Sequence, residues 1–519
     1  MKKTWKLFAA VLSVCMAASL LIGCGGETAR DKDIIKIAVF DGGYGLDWLE
    51  TIAKNYTSYS GQAVKVDAMY IDSKSAEIKS GACAYDIVCH VDTMFDSPYA
   101  IMDLTDVYNS VPAGEEKSIL EKMNPTYYDY LNVGTEEEPK FNHMIWAPGT
   151  MGLLYNETVF NEYLVDQSGN PDWELPKTTD ELMALCDRLK EEGVYAFINS
   201  NTLGTYSAAL VDTWWAQYDG IEAYRNFYKG TYTDENGVQS AYDPRIADTV
   251  GRREAMRIYG EIMQLENGYI FADSDTISFT DAQAEFCGCR IGKNTKPSAM
   301  MVNGDWMENE SSLFLNEYGN TIKFMNVPVV SALGDKIGVT EEQLSELVSF
   351  VDGDISSVSF TYTEDQLRAV REARSIIYNN GAQHTLVVPA STPKFEEVKD
   401  FLVYLYSNES QKIYARRLNG LTMPYGFDIS TDSTIETSDV TQSLFDCYGV
   451  NPSYIFTDFS QILVYRGGLV PWRTLSNSYY ANFDQALFKG YGDGIKIFED
   501  SKTYIADNWD KWLESCGLN

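Results

Sequence analysis

The chain has 519 residues, with 75 acidic against 41 basic side chains and a formal net charge of −34. So acidic a body repels nucleic acid and anionic lipid headgroups, which removes both as partners of the folded part. With 45% hydrophobic and 22% charged residues it still buries large cores, which excludes a disordered chain, and its length calls for two or more domains.

The chain opens with Lys2, Lys3 and Lys6 ahead of an apolar run from Leu7 to Ile22, closing on Leu21-Ile22-Gly23-Cys24. A basic head, an apolar core and a small residue before the cut are the parts of an export signal. At about 16 residues the run is short for a membrane span, which takes roughly 20. That disfavours a transmembrane anchor. A cysteine at this boundary resembles the lipobox of bacterial lipoproteins. The resemblance implies a signal peptide of residues 1–23, diacylation of the Cys24 thiol and a lipid anchor on the extracytoplasmic face of the cell membrane. Residues 24–33 are then a small, polar tether. Cleavage removes three lysines and no acids, leaving 38 basic against 75 acidic residues and a net charge of −37.

Ile34 to Phe40 is an apolar, β-branched run that stops at Asp41-Gly42-Gly43-Tyr44-Gly45, a strand followed by a turn. Leu46, Leu49, Ala53 and Tyr56 then recur on one helical face, Ala63 to Met69 alternates like a strand, and Tyr85 to His90 ends in another apolar run. From Leu175 the punctuation is clearer. Thr178 and Glu181 have capping-box spacing, Leu182, Leu185, Cys186 and Leu189 form a helical stripe, and Gly193 ends it before a strand at Val194 to Ile198. Leu386 to Val388 is a short strand, after which Thr392 is expected to cap a helix with Pro393 at its first position and Val398, Phe401, Leu402 and Leu405 as its buried face. Strands alternating with helices imply α/β layers around mostly parallel sheets.

The chemistry of hydrolysis and phosphate binding leaves no motif. His90, His143 and His384 have no partners at metal or triad spacing, and there is no HExxH, GxSxG or Walker loop. The glycine turn at 41–45 lacks dinucleotide-binding spacing. Asp273-Ser274-Asp275 starts like a calcium loop but places Ile277 and Ala284 where oxygen ligands are needed. Seven cysteines remain beyond Cys15 and Cys24, with no second Cys/His pair to complete a zinc site around Cys287-Gly288-Cys289, so they read as free thiols. Neither a cofactor nor a metal is called for.

Aromatic residues make up 13% of the chain, and several stand beside turns: Tyr44, Trp146, the pair Trp214-Trp215, Trp306 and Trp472. A flat ring next to polar groups suits sugars, whose C–H faces stack on the ring while hydroxyls find hydrogen bonds. Core packing is the alternative role for each ring taken singly; five such places in one chain favour a ligand groove.

Met151 to Asn156 followed by Pro176 to Leu182 resembles the GxxYN segment and PKTWxEL helix start of the extracellular solute-binding proteins of ATP-driven (ABC) importers, in the branch that includes maltodextrin-binding proteins. Ser298 to Trp306 is similar to that family's AMxxNGxW signature, and Pro389 to Lys394 to the segment that restarts its first lobe. The resemblance implies a two-lobed periplasmic-binding-protein fold of type II with a hinge the chain crosses more than once. Lobe one is expected at 34–147 and 327–412, and lobe two at 148–326 and 413–519. It implies a cleft in which Trp306 stacks on sugar and Tyr44 holds the first-turn position. Tyr206 and Trp472 fall near cleft-lining places, and His90 stands where some relatives put a tryptophan. Asp92 and Thr93 are then placed to bond hydroxyls, while Trp214 and Trp215 weigh lower, one of them facing the core.

The reading this supports is a non-enzymatic, monomeric receptor that captures a carbohydrate, an oligosaccharide in first place, and hands it to a membrane permease with a cytoplasmic ATPase. A surface-anchored glycan hydrolase using a carboxylate pair, a receptor for a peptide or polyamine, and an adhesion lipoprotein without a cleft are the alternatives. The stretches around Asp352 to Tyr378 and Ser430 to Phe459 take no role in this reading.

Overall fold

The structure, a computed structural model, describes residues 34–518 apart from 71–73, 90–92, 201–205, 235, 293, 450, 472–474 and 476–481. Cys24 with its tether, His90, Asp92 and Trp472 lie outside the described residues. Among the described residues no helix is long and apolar enough to cross a membrane.

In chain order the strands are β1 (Ile34–Phe40), β2 (Ala63–Met69), β3 (Ile87–Cys89), β4 (Met144–Ile145), β5 (Met151–Asn156), β6 (Tyr195–Phe197), the small hairpin β7 (Tyr232–Thr233) and β8 (Gln239–Ser240), β9 (Ser298–Gly304), β10 (Ile322–Met325), β11 (Ile376–Tyr378), β12 (Thr385–Val387) and β13 (Ser453–Ile455). The helices that organise them are α1 (Asp47–Ser60), α2 (Thr179–Glu191), α3 (Ala208–Asp219), α4 (Val250–Met263), α5 (Glu341–Asp352), α6 (Glu364–Ser375), α7 (Phe395–Leu405), α8 (Asn408–Arg417), α9 (Asp439–Tyr448) and α10 (Gly494–Cys516).

Two sheets result, one ordered β2-β1-β3-β12-β4 and the other β10-β5-β9-β6. Both are mixed. β1 runs parallel to β2 and β3, and β6 parallel to β9, but β12 is antiparallel to β3 and β4, and β5 to β9 and β10. The strands that run against their neighbours are β5, which follows β4 of the first sheet, and β12, which follows β11, a strand paired only with β13.

Local sequence explains the frame. α2 buries Leu182, Leu185, Cys186 and Leu189 as one stripe, and α7 buries Val398, Phe401, Leu402 and Leu405. The Thr178 hydroxyl accepts the Glu181 amide as an N-cap, but the reciprocal half of the box is absent: Glu181 accepts the Lys177 amide instead. Thr392 does not cap α7, which starts at Phe395 with Lys394 at the N-cap and no side-chain cap. Its hydroxyl donates at 2.6 Å to Asp86, a carboxylate buried beneath the first sheet that also accepts Lys394 Nζ and the Lys36 amide, each at 2.9 Å. The buried carboxylate takes the hydroxyl proton, whereas a helix start needs an acceptor for its free N–H groups, and the Thr392 oxygen accepts only the Lys394 amide, at 3.4 Å. Trp214 and Trp215 both face inward, Trp214 donating to the Pro328 carbonyl at 3.0 Å. All seven described cysteines are free, five buried and Cys289 and Cys447 half-buried.

Residues 327–375 pack on the second unit. α5 pairs with α6, and α6 lies on α3. Asp352 at the end of α5 holds Arg374 at 2.6 Å and Lys177 at 2.9 Å, and Arg374 reaches the Val327 carbonyl. Beyond residue 412 the chain stays beside the first sheet: α8 packs on α1, Gln411 accepts the Met423 amide, and Tyr425 bridges to Met123. α9 returns to the second unit by covering β10, whose Phe324 amide donates to Ser443. The two stretches without an assigned role meet each other here, since β11 pairs with β13, and α6, α9 and Lys177 enclose a groove of about 830 Å³.

Candidate functional site

Residues 146–150 carry the chain from β4 into β5, and residues 379–384 from β11 into β12; Thr150 and Asn379 form an antiparallel bridge between them. Asn379 Nδ2 donates to the Pro148 carbonyl at 2.7 Å, while its Oδ1 accepts the Gly381 amide at 2.7 Å and the Tyr127 hydroxyl. Gly149 has φ +66°, and a Cβ there would stand 2.3 Å from the Gly381 nitrogen, so glycine is required both by conformation and by the closeness of the two backbones. These segments form the hinge region, and a ring cluster sits directly on it.

Tyr44 follows β1, Trp146 follows β4, His384 precedes β12, Trp306 follows β9 and Tyr206 precedes α3, so strand ends and loops of both units point to one place. The Tyr44 ring meets Trp146 at 5.6 Å, Trp306 at 5.9 Å and His384 at 5.3 Å, all edge-on. Trp306 lies 5.8 Å from His384 and 6.5 Å from Tyr206. Behind them Trp48 stacks on Trp146 at 5.7 Å and meets Tyr414 edge-on at 4.9 Å. Edge-to-face pairs of this kind hold rings at fixed angles.

One carboxylate threads the cluster. Asp305 Oδ1 receives the Tyr44 hydroxyl at 2.5 Å, and Oδ2 receives the Thr150 amide at 2.8 Å. The Gly149 amide in turn donates to the Tyr44 oxygen at 3.0 Å. Burial pushes the Asp305 carboxyl up to about 7, against which the two hydrogen bonds pull down. Burial, and next the neighbouring Asp305, hold the Tyr44 phenol well above its ordinary value, so it is a neutral donor. One turn on, Asn309 Nδ2 donates to the Gly43 carbonyl at 2.6 Å, and Gln283 holds Glu310 at 2.6 Å. His143, away from the cluster, accepts the Met94 amide on Nε2 and faces Asn142 through Nδ1; burial lowers it to about 3, so it is a neutral structural imidazole.

Of the residues singled out in the sequence, Tyr44, Trp146, Tyr206 and Trp306 are thus brought together. Trp146 is 2% exposed and packs as the layer beneath Tyr44, whereas Tyr206 is half-buried at the margin. Thr93 is half-buried in the loop after β3 and makes none of the cluster's contacts among the described residues. Sequence reasoning missed Asp305, His384 and Asn309. Asp305 was inside the signature segment and His384 at the mouth of a strand, but Asp305 meets Tyr44 and Thr150, 261 and 155 residues away, and His384 meets Tyr44 and Trp146, both far earlier in the chain, and no periodicity encodes that. Among the described residues no group of three or more His, Cys, Asp or Glu is placed to hold a metal ion.

Two mixed α/β units joined by repeated crossings, with rings from both meeting over the hinge, define a two-lobed binding protein of the periplasmic-binding-protein type. Residues 42–327 match the bacterial extracellular solute-binding protein family, and the chain belongs to that family, whose members are binding proteins rather than enzymes. A diacetylchitobiose binding protein, NgcE of Streptomyces coelicolor, is 22% identical over 287 residues, 54% of this chain and 54% of that one, so the match spans about half the relative's length. Among solved structures, a chitin oligosaccharide binding protein aligns over 92% of this chain and 99% of its own, at 15% identity and a TM-score of 0.55. RafE in complex with raffinose aligns over 92% and 99%, at 14% identity and a TM-score of 0.57. At these identities the structural likeness establishes the two-lobed fold.

Proposed function

We propose that this protein captures a carbohydrate, an oligosaccharide in first place, between its lobes and delivers it to an ABC permease, while lipid on Cys24 keeps it at the outer face of the membrane. The observation that supports this most is the convergence of Tyr44, Trp306, Tyr206 and His384 from both units onto the hinge. Rings supplied by both lobes let a ligand touch each lobe at once, and only such a ligand gains affinity from closure. Trp306 is the stacking platform, Tyr206 the rim, Tyr44 the ring over the hinge and Trp146 the support beneath it. The family resemblance adds Thr93, Asp92, His90 and Trp472 as further candidates for ligand contact. The packing supports a first lobe of residues 34–147 and 384–426 and a second of 150–378 and 438–519, with short connections between.

Chitin oligosaccharides head the ligand panel, because two of the three relatives are named for chitin-derived sugars. Titration calorimetry of the protein without residues 1–24 should show saturable binding of one oligosaccharide. Trp306→Ala should weaken it by about tenfold or more, the loss of a buried aromatic anchor costing about 2 kcal/mol. Unchanged affinity would remove Trp306 from the site, and release of reducing ends from the bound glycan would replace a receptor by a hydrolase.

A further inference from the structure

The glycine turn 41–45 supplies the Tyr44 ring to the cluster, and its backbone and the Tyr44 hydroxyl make a second set of contacts across the lobes. It projects from β1 of the first sheet and is clasped by the segment that follows β9 of the second. Tyr44 bonds Asp305, the Gly43 carbonyl receives Asn309, and the Gly43 backbone lies so close to Trp306 that an added Cβ would stand 2.5 Å from the indole's Cβ. Asp305 is the centre of this clasp, since its other oxygen receives Thr150 in the hinge. It thus ties together both lobes and the segment about which they would turn.

We propose that Asp305 is a positioning residue, a latch that sets how firmly the cleft closes and that takes up a proton from solvent as it closes. This rests on the cleft reading above for where the latch acts. The groups that face Asp305 are phenols: Tyr44 from the first turn, Tyr414 from α8, Tyr448 from the end of α9, Tyr454 from β13 and Tyr127 from the first unit. His384 faces Tyr44 on its far side, and Glu308 and Glu310 follow on the same segment, each bonded to Ser438 and Gln283 respectively. Among the described residues no ion pair reaches Asp305, so a closed cleft would bury its charge against two donors and no cation. With the cleft open the carboxylate faces water and titrates near the ordinary value of about 4. Clasped as in this structure, it is pushed up by burial to about 7. A carboxyl raised in this way favours the closed form fully below about pH 4, and the advantage is lost as pH climbs to about 7. Between those limits one proton is gained per closure, so the closed-to-open ratio falls by up to about tenfold per pH unit.

The test uses ligand-free protein lacking residues 1–24, so it stands apart from the sugar assignment: failure of every glycan to bind would overturn that assignment and leave this readout intact. Small-angle X-ray scattering at pH 5 and pH 7.5 should show a smaller radius of gyration at pH 5. Asp305→Asn, neutral at both, should give one radius at both pH values. Tyr44→Phe, which keeps the ring and removes the bond, should be the more open of the two proteins at pH 5 when set against wild type, and it serves alone if the asparagine variant fails to fold. A wild-type radius that is equal at the two pH values, an asparagine variant that follows the wild-type change, or a phenylalanine variant as closed as wild type would each overturn the latch.

Discussion

Gly43→Val should weaken ligand capture by about a hundredfold while leaving the melting temperature within about 2 °C of wild type. The position has no positive φ, so valine fits the backbone of the turn. What valine meets is across the cleft, where its Cβ alone would stand 2.5 Å from Cβ, Cγ and Cδ1 of Trp306. Those atoms lie next to the backbone and cannot swing aside as a side-chain tip would. Overpacking of this kind costs about 1–3 kcal/mol, and the protein can escape it by staying open, so the cost falls on closure and not on folding. Calorimetric affinity and a thermal melt of the same variant separate the two. Equal losses in both would mean that the turn and Trp306 belong to one rigid unit.

Lys394→Met should destabilise the first lobe by about 3–5 kcal/mol, the typical result of breaking a buried ion pair from one side. Lys394 and Asp86 have side chains only 4% and 1% exposed, 2.9 Å apart, and the ammonium also reaches the Ile34 carbonyl. Without the lysine, Asp86 keeps the Thr392 hydroxyl and the Lys36 amide but has no countercharge. Asp86→Asn in the same chain should recover part of the loss, because an amide in that place carries no charge to desolvate. Urea unfolding of the three proteins measures this, and a double variant as unstable as the single one would show that packing, not charge, is at stake.

The parts of the fold legible in the sequence are those that one segment decides by itself. β1 and β2 have the bounds that apolar runs predict, and the stripes of α2 and α7 match residue for residue. What failed to show depends on partners far along the chain. Thr392 looks like a helix cap, yet its hydroxyl donates to Asp86, 306 residues away, and the helix starts three residues on with no side-chain cap. α5 and α6 are amphipathic in either lobe, and nothing in their stripes says that α6 will lie on α3. In the cleft, aromatics beside turns were visible as exposed-ring candidates, and Tyr44, Trp146, Tyr206 and Trp306 do meet. Which ring is platform and which is support was not visible, because Trp48, on a helix face, reads as ordinary core and yet is what Trp146 stacks on. Asp305 carried the least signal, as one acid among 75 acidic residues.

The central claim is capture of a sugar, and a thermal-shift panel on the protein without residues 1–24 addresses it most directly. One oligosaccharide should raise the melting temperature progressively with concentration, by an amount equivalent to about 2.7 kcal/mol at a hundred times its Kd. No shift with any glycan, beside a clear shift with peptides or polyamines, would contradict it.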